Sequence, residues 1–236
     1  MKKLSIIIPC YNEERTVELL IDKVINAKTP LQEKELVLID DCSNDKTLAI
    51  LTEIQKKAVH PNISFKLLRH EKNMGKGAAI RTGIKHCSGD IVIIQDADLE
   101  YDPSEFYDLI IPIINNKADV VYGSRFPQPL TLKNFSLHVF GNKVLTFLSN
   151  IFSGLRITDM ETCYKVFRTE VIKDIDLKSN RFGFEPEVTA KIAKKGSRII
   201  EIPVSYKSRS YAEGKKIGIK DAIDATWCII RYNVFN

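Results

Sequence analysis

Five short apolar runs recur along the first half of this 236-residue chain: LSIIIP (4 to 9), ELVLID (35 to 40), SFKLLR (64 to 69), DIVIIQ (90 to 95) and DVVYGS (119 to 124). Strands that are apolar almost without alternation have to be covered on both faces. Stretches of helical spacing at Glu13 to Ala27, Asp45 to Val59, Lys76 to Cys87 and Pro103 to Asn115 lie between the runs and supply that cover, with Pro103 well placed to start a helix. This order predicts an α/β fold with a mostly parallel central sheet flanked by helices.

The second half is less regular. Leu132 to Leu155 has a helical pattern rich in Phe and Leu, and it reads either as a core helix or as an apolar surface that receives a lipid. CYKVFR, a helical FEPEVTAKIAKKG ending at Gly196, a strand RIIEIPVSY, a polar loop and a final helix to Asn236 follow. With no internal repeat, low-complexity segment or linker, the simplest organisation is one domain over 1–236 with a C-terminal helical elaboration.

Composition removes several function classes. The net charge of +5 is spread through mixed acids and bases, and no basic stripe interleaved with aromatics marks a nucleic-acid footprint. Five dispersed cysteines without a CxxC fit reduced thiols in a cytosolic protein, and four histidines without ligand spacing give zinc no site. The start, MKKLSIIIPCYNEE, has too short an apolar core for a secretory signal, being broken by Pro9 and Glu13, and reads as a first strand. No window approaches the roughly 18 apolar residues of a membrane span, so any membrane contact is expected from the surface.

In parallel sheets, ligands bind outside the carboxyl ends of the strands. Here those ends read PCYNE, DDCSND, RHEKNMGKG, QDADLE and GSRF, so the unusual polar chemistry falls on one edge. QDADLE places Asp96, Asp98 and Glu100 directly after the run Ile91 to Ile94. Acids this close repel unless a positive charge lies among them or they face open water. An Asp-X-Asp at a strand end supplies the one or two carboxylates that Mg²⁺ takes alongside substrate phosphates. NMGKGAAIRTG is neither a dinucleotide fingerprint, since Ile80 stands where Gly or Ala is required, nor a P-loop. What remains is Lys76, between two glycines at the start of a helix. It either faces an anion there or is solvated.

Taken in order, IIIPCYNEE, VLIDDCSNDKT, NMGKGAA, QDADLE, GSRF, TDMETCYKVFR and FEPEVTAKIAKKG resemble the family 2 nucleotide-sugar glycosyltransferases, most of all the polyprenyl-phosphate branch that includes dolichol-phosphate mannose and glucose synthases. The resemblance covers essentially the whole chain. It implies a GT-A fold, Mg²⁺ or Mn²⁺, and inverting transfer of one sugar from a UDP- or GDP-linked donor to a polyprenyl phosphate. Residues 1–125 would form the nucleotide-sugar half, and 126–236 the acceptor half with a basic closing loop. By similarity, Pro9, Tyr11 and Glu13 border the nucleotide, while Ile39 and Asp41 reach its base. Asp96, Ala97 and Asp98 hold metal and diphosphate, Glu100 stands where several relatives carry a Gln that touches metal or sugar, and Lys76 belongs to the donor site. Arg125 faces the sugar or the acceptor phosphate, and Arg209, Lys215 and Lys216 match a basic loop closing over the diphosphate. Asp159 matches an acid near the reacting centre, as a base or an acceptor-positioning group. Glu185 and Glu187 either orient the site or serve the start of their helix.

Transfer to a glycan or other hydroxyl, or a non-catalytic nucleotide-sugar-binding subunit, are the competing functions. Many relatives continue into transmembrane helices, whereas this sequence stops at WCIIRYNVFN. The resemblance therefore implies a peripheral protein on the cytoplasmic membrane face, a membrane partner subunit, or a piece of a longer chain.

Overall fold

Leu4, Ile6, Ile7 and Ile8 are all fully buried in the first strand, β1 (Lys3–Cys10), as a strand sandwiched between helical layers requires. The computed structural model describes residues 1–57, 60–126, 137–208 and 219–235. After β1 come α1 (Val17–Asn26), β2 (Glu33–Asp40), α2 (Thr47–Lys57), β3 (Ile63–Arg69), α3 (Lys76–His86) and β4 (Ile91–Ile94). A 3-10 turn at Pro103–Glu105 leads into α4 (Phe106–Ile114), and β5 (Val120–Ser124) follows. The second half supplies α5 (Leu137–Ser153), β6 (Lys165–Arg168), α6 (Thr169–Lys173), α7 (Phe184–Lys194), β7 (Ile199–Pro203) and α8 (Ile219–Ile230), which ends in a π turn at Arg231–Phe235.

The strands form one sheet in the order β3-β2-β1-β4-β6-β5-β7. From β1 the chain moves outward through β2 and β3, then returns to place β4 on the other side of β1. The switch point between β1 and β4 is where an open α/β sheet leaves a crevice at its carboxyl edge. β6 departs from the parallel pattern, running antiparallel to both β4 and β5. CYKVFR, to which the sequence assigns no direction, thus enters the sheet from the carboxyl edge. The residues before β6, rather than those after it, are delivered to that edge.

Helices close on the sheet tightly. A Cβ at Gly83 of α3 would lie 2.5 Å from Ile7 Cγ2 and 3.1 Å from Ile39 Cδ1, so α3 sits directly on the strands. On the second half, α5 packs against α7 and α8, burying Leu145 and Ser149. Its opposite side turns Phe140, Val144, Phe147 and Ile151 outward at helical spacing, with Phe147 65% exposed. Ile223 and Trp227 of α8 are also exposed. Among the described residues no helix is long and apolar enough to cross a membrane.

At the opposite edge of the sheet, the Glu35 carboxylate accepts from Ser5 Oγ (2.7 Å), Ser88 N (2.7 Å) and Ser88 Oγ (2.9 Å), and pairs with Lys66 at 2.8 Å. Burial opposes this charge, but the hydrogen bonds from Lys66, Ser5 and Ser88 outweigh it and hold the carboxyl at about 2, against an ordinary value of 4.5. A depressed carboxyl stabilises the fold above its unfolded value and loses that contribution as pH falls. Between pH 4.5 and 2 the protein is therefore expected to lose about 2 kcal/mol through this group, after discounting for solvent at the Lys66 end. Urea titrations across that range should show the loss in the natural chain and a flatter profile in Glu35→Gln; equal slopes would refute the assignment.

Candidate active site

The carboxyl edge carries backbone strain that regular elements avoid. Asn12, Cys42 and Leu99, following β1, β2 and β4, adopt positive φ values of 54°, 61° and 63°. Such left-handed conformations in non-glycine residues cluster where a chain must aim side chains. After β4, Gln95 sets the direction: its Nε2 donates to the Asp96 carbonyl at 3.0 Å, and its Oε1 accepts from Tyr164 OH at 2.8 Å. The left-handed Leu99 then reverses the chain, and Glu100 N donates to Asp98 Oδ1 at 3.2 Å.

Asp41 acts mainly on its own chain. Its carboxylate accepts from Met74 N (2.9 Å) and Gly75 N (2.7 Å) and bonds His70 Nδ1 (2.7 Å), while His70 Nε2 meets Thr82 Oγ1 at 2.9 Å. These bonds fold the Asn73 to Lys76 loop onto the N-terminus of α3. Gly75, at φ 96°, has no room for a side chain, since a Cβ would meet Asn180 O at 2.4 Å. Lys76 then points back across the crevice. Its ammonium pairs with Asp96 at 2.9 Å and with Glu185 at 3.3 Å. Burial opposes the charge, yet Asp96 holds it well above the usual lysine range. This lysine is the positive charge that the acid cluster of QDADLE needs.

Arg125, after β5, makes a bidentate pair with Asp159. Nε donates to Oδ2 at 2.7 Å and Nη2 to Oδ1 at 2.8 Å, and the Arg125 backbone N adds a third bond to Oδ2 at 3.0 Å. Asp159 is fully buried. Beneath it, Glu201 accepts from the backbone N of both Thr158 and Asp159. The Arg125 guanidinium also lies 5.0 Å from the centre of the Tyr206 ring, within cation–π range.

A cavity of about 390 Å³ opens between these parts. Of the residues singled out in the sequence, Pro9, Tyr11, Glu13, Asp41, Lys76, Asp96, Ala97, Asp98, Glu100 and Arg125 line it. Ile39 does not: it is fully buried, under α3 at Gly83. Asp159 is also off the wall, and it reaches the cavity only through Arg125. Arg209, Lys215 and Lys216 lie outside the described residues. Glu187 turns away, accepting from the backbone N of Lys178 and Ser179. The sequence reading missed Glu161, Cys163, Arg181, Phe182 and Tyr206, which join Glu185 on the wall. The signal for Glu161 was its place in TDMETCYK, two residues after Asp159.

Asp96, Asp98 and Glu100 do not gather as a three-ligand cage, and no group of three His, Cys, Asp or Glu among the described residues is placed to hold a metal. Glu100 accepts from Tyr206 OH at 2.8 Å. Asp96 and Asp98 both line the cavity. Two carboxylate residues open to a cavity fit a hard divalent cation that takes its other ligands from phosphate and water.

Comparison with known proteins gives a consistent pattern. The family model described as Glycosyl transferase family 2 matches residues 5–176. A dolichol-phosphate mannosyltransferase of Pyrococcus furiosus is 30% identical over 219 residues, covering 92% of this chain and 60% of that protein. A dolichyl-phosphate beta-glucosyltransferase of Trichomonas vaginalis is 31% identical over 249 residues, covering 99% of this chain and 73% of its own length. The chain thus spans about three-fifths of the Pyrococcus protein and nearly three-quarters of the Trichomonas one. Among solved structures, glucosyl-3-phosphoglycerate synthase from Mycobacterium tuberculosis, in complex with Mn²⁺, UDP and glucosyl-3-phosphoglycerate, matches with a TM-score of 0.73 at 16% identity, over 98% of this chain and 80% of that one. At that identity the likeness speaks to the fold, which is the GT-A arrangement.

Proposed function

The chain belongs to glycosyl transferase family 2, and from that premise we propose that it moves one sugar, with inversion, from a nucleoside diphosphate sugar to a polyprenyl phosphate at a membrane surface. The observation that carries this reading is the meeting of Asp96, Asp98, Lys76 and Arg125 around one cavity at the switch point of the sheet. Curated relatives named for polyprenyl-phosphate sugar transfer support the acceptor class.

In this reading Asp96 and Asp98 hold Mg²⁺ or Mn²⁺, which when bound neutralises charge on the diphosphate leaving group. The chain's own cations complete the task. Lys76, at the positive end of α3, and Arg125 face the oxygens on which charge develops, and their value rises as the site is closed to water. Arg209, Lys215 and Lys216 are assigned to the diphosphate by resemblance. By the same resemblance the nucleotide is assigned mainly to residues 1–125 and the acceptor to 126–236, a half that also closes on the diphosphate and the sugar.

A polyprenyl phosphate brings an oxygen that is already anionic, so the reaction asks for alignment rather than deprotonation. Asp159 suits that demand, because both of its oxygens hold Arg125 and neither lines the cavity. We assign it to the positioning of Arg125. The exposed apolar row on α5 and α8, including Phe147 and Trp227, supports contact with lipid.

The test is transfer from a panel of UDP- and GDP-sugars to undecaprenyl phosphate in detergent or vesicles, read by mass spectrometry of the lipid. A glycosyl phospholipid should form with Mn²⁺ or Mg²⁺, vanish on chelation and return on adding the metal back. Sugar hydrolysis without lipid product would replace the acceptor in this reading, and transfer that persists in chelator would remove the metal from it.

A further inference from the structure

Two residues that line the cavity each carry a buried carboxyl oxygen without a hydrogen-bond partner among the described residues: Glu161 Oε1 and Glu185 Oε2. Leaving such a group unpaired costs about 1–3 kcal/mol, so a structure that retains two in residues of one cavity, close enough for the charge of Glu185 to act on Glu161, holds them for something that arrives. Glu185 is 4% exposed, and its side chain pairs through Oε1 with Lys76, leaving Oε2 over. Glu161 is held rigidly from behind. The buried ammonium of Lys165 donates to the carbonyls of Met160 and Thr162, one on each side of Glu161, fixing the backbone that presents it.

We propose that Glu161 and Glu185 grip hydroxyl groups of the transferred sugar and set which sugar the site accepts. The inference rests on the nucleotide-sugar reading above and names the residues that read the sugar. Two carboxyl groups together repel a phosphate, and the cations that favour one, Lys76 and Arg125, are those assigned to the anions of the reaction. A neutral polyhydroxyl group is what remains.

The surroundings of Glu161 suit it to hydroxyls. Burial, then the charge of Glu185, pushes the Glu161 carboxyl up to about 8, against the opposing influence of Lys165 and Arg125 and with a further push from Asp159. The raised Glu161 carboxyl favours its protonated form, which has a proton to donate, and Glu185 Oε2 is an oxygen without a donor. A sugar hydroxyl both donates and accepts, and it satisfies the two together.

The experiment compares binding of UDP, GDP, UDP-glucose and GDP-mannose, each with Mn²⁺, by calorimetry to the natural chain and to Glu161→Ala, Glu161→Gln and Glu185→Ala, with the melting temperature of each free protein measured alongside. For the sugar nucleotide that the natural chain binds, the dissociation constant should rise about tenfold in both alanine variants, while in Glu161→Ala, which leaves the Lys76–Glu185 pair in place, that of the matching bare nucleotide stays within about twofold. Glu161→Gln, which can still donate and accept, should restore most of the loss. Removing an unpaired buried oxygen should leave the melting temperature of free Glu161→Ala equal to or above that of the natural chain; a merely structural glutamate would lower it. In Glu161→Ala, equal effects on sugar nucleotide and bare nucleotide, or a lowered melting temperature, would overturn the assignment of the pair alone. Failure of the natural chain to bind any of the four would overturn the nucleotide-sugar reading and the pair's role with it.

Discussion

Asp98→Ala is expected to reduce sugar transfer by at least about 10³-fold while leaving the fold intact. Asp98 lies beyond the end of β4, outside the buried strand Ile91–Ile94, so its replacement opens no cavity in the core. In the proposed metal site its loss would leave Asp96, which is already engaged by Lys76 at 2.9 Å. The consequence falls on the step in which the diphosphate departs, where charge appears that was spread over the intact donor. The rate at saturating donor should therefore collapse, whereas a residue that only bound the nucleotide would raise the donor requirement and spare the maximal rate. Steady-state kinetics with the lipid acceptor, together with circular dichroism of the variant, decides the matter. Activity within about tenfold of the natural chain would remove Asp98 from this role.

Asp159→Ala should be costly in a different currency, lowering stability by about 3–5 kcal/mol and abolishing transfer as well. The reason is the partner left behind. Arg125 has a side chain only 9% exposed, and it places both Nε and Nη2 on this one carboxylate. Removing the acid strands a guanidinium charge in a site of low polarisability. Urea unfolding measures the first effect, and the transfer assay the second. The double variant Arg125→Met, Asp159→Leu separates them: with both charges gone, much of the stability should return, and activity should not. Recovery of transfer in the double variant would show that the pair serves the fold alone.

How much of this was legible in the sequence depended on whether local pattern or distant packing decided the outcome. The five apolar runs and the helices between them were readable because burial on both faces leaves a direct mark on residue choice. The edge bearing Pro9, Asp41, Lys76, Asp96 and Arg125 followed from the rule that parallel strands release their ligand-binding residues at one end. The direction of β6 was not readable, since KVFR is four residues long and a strand so short has the same composition whichever way it runs. Ile39 illustrates a related limit. Its strand period sets it on the same face as Asp41, but α3 closes over it at Gly83, a contact made between segments more than forty residues apart. Glu161 was hidden for another reason: its place two residues after Asp159 was a signal, but an acid in a polar segment looks solvated until the fold sets it on the same cavity as Glu185, more than twenty residues away.

The reversed strand β6 carries a consequence for how such a molecule can change over time. Donor-side groups follow their strands, so an insertion between Ile94 and Asp98 would displace the very carboxylates that the strand was aiming. Asp159 and Glu161 precede theirs. A change in length upstream of Ile157 lengthens or shortens a path over the surface while Lys165 stays opposite Tyr122 in the sheet. One wall of the cavity is thus pinned by its departures and the other moored by its arrival, and a change in length before Ile157 leaves the strand that fixes the second wall in register.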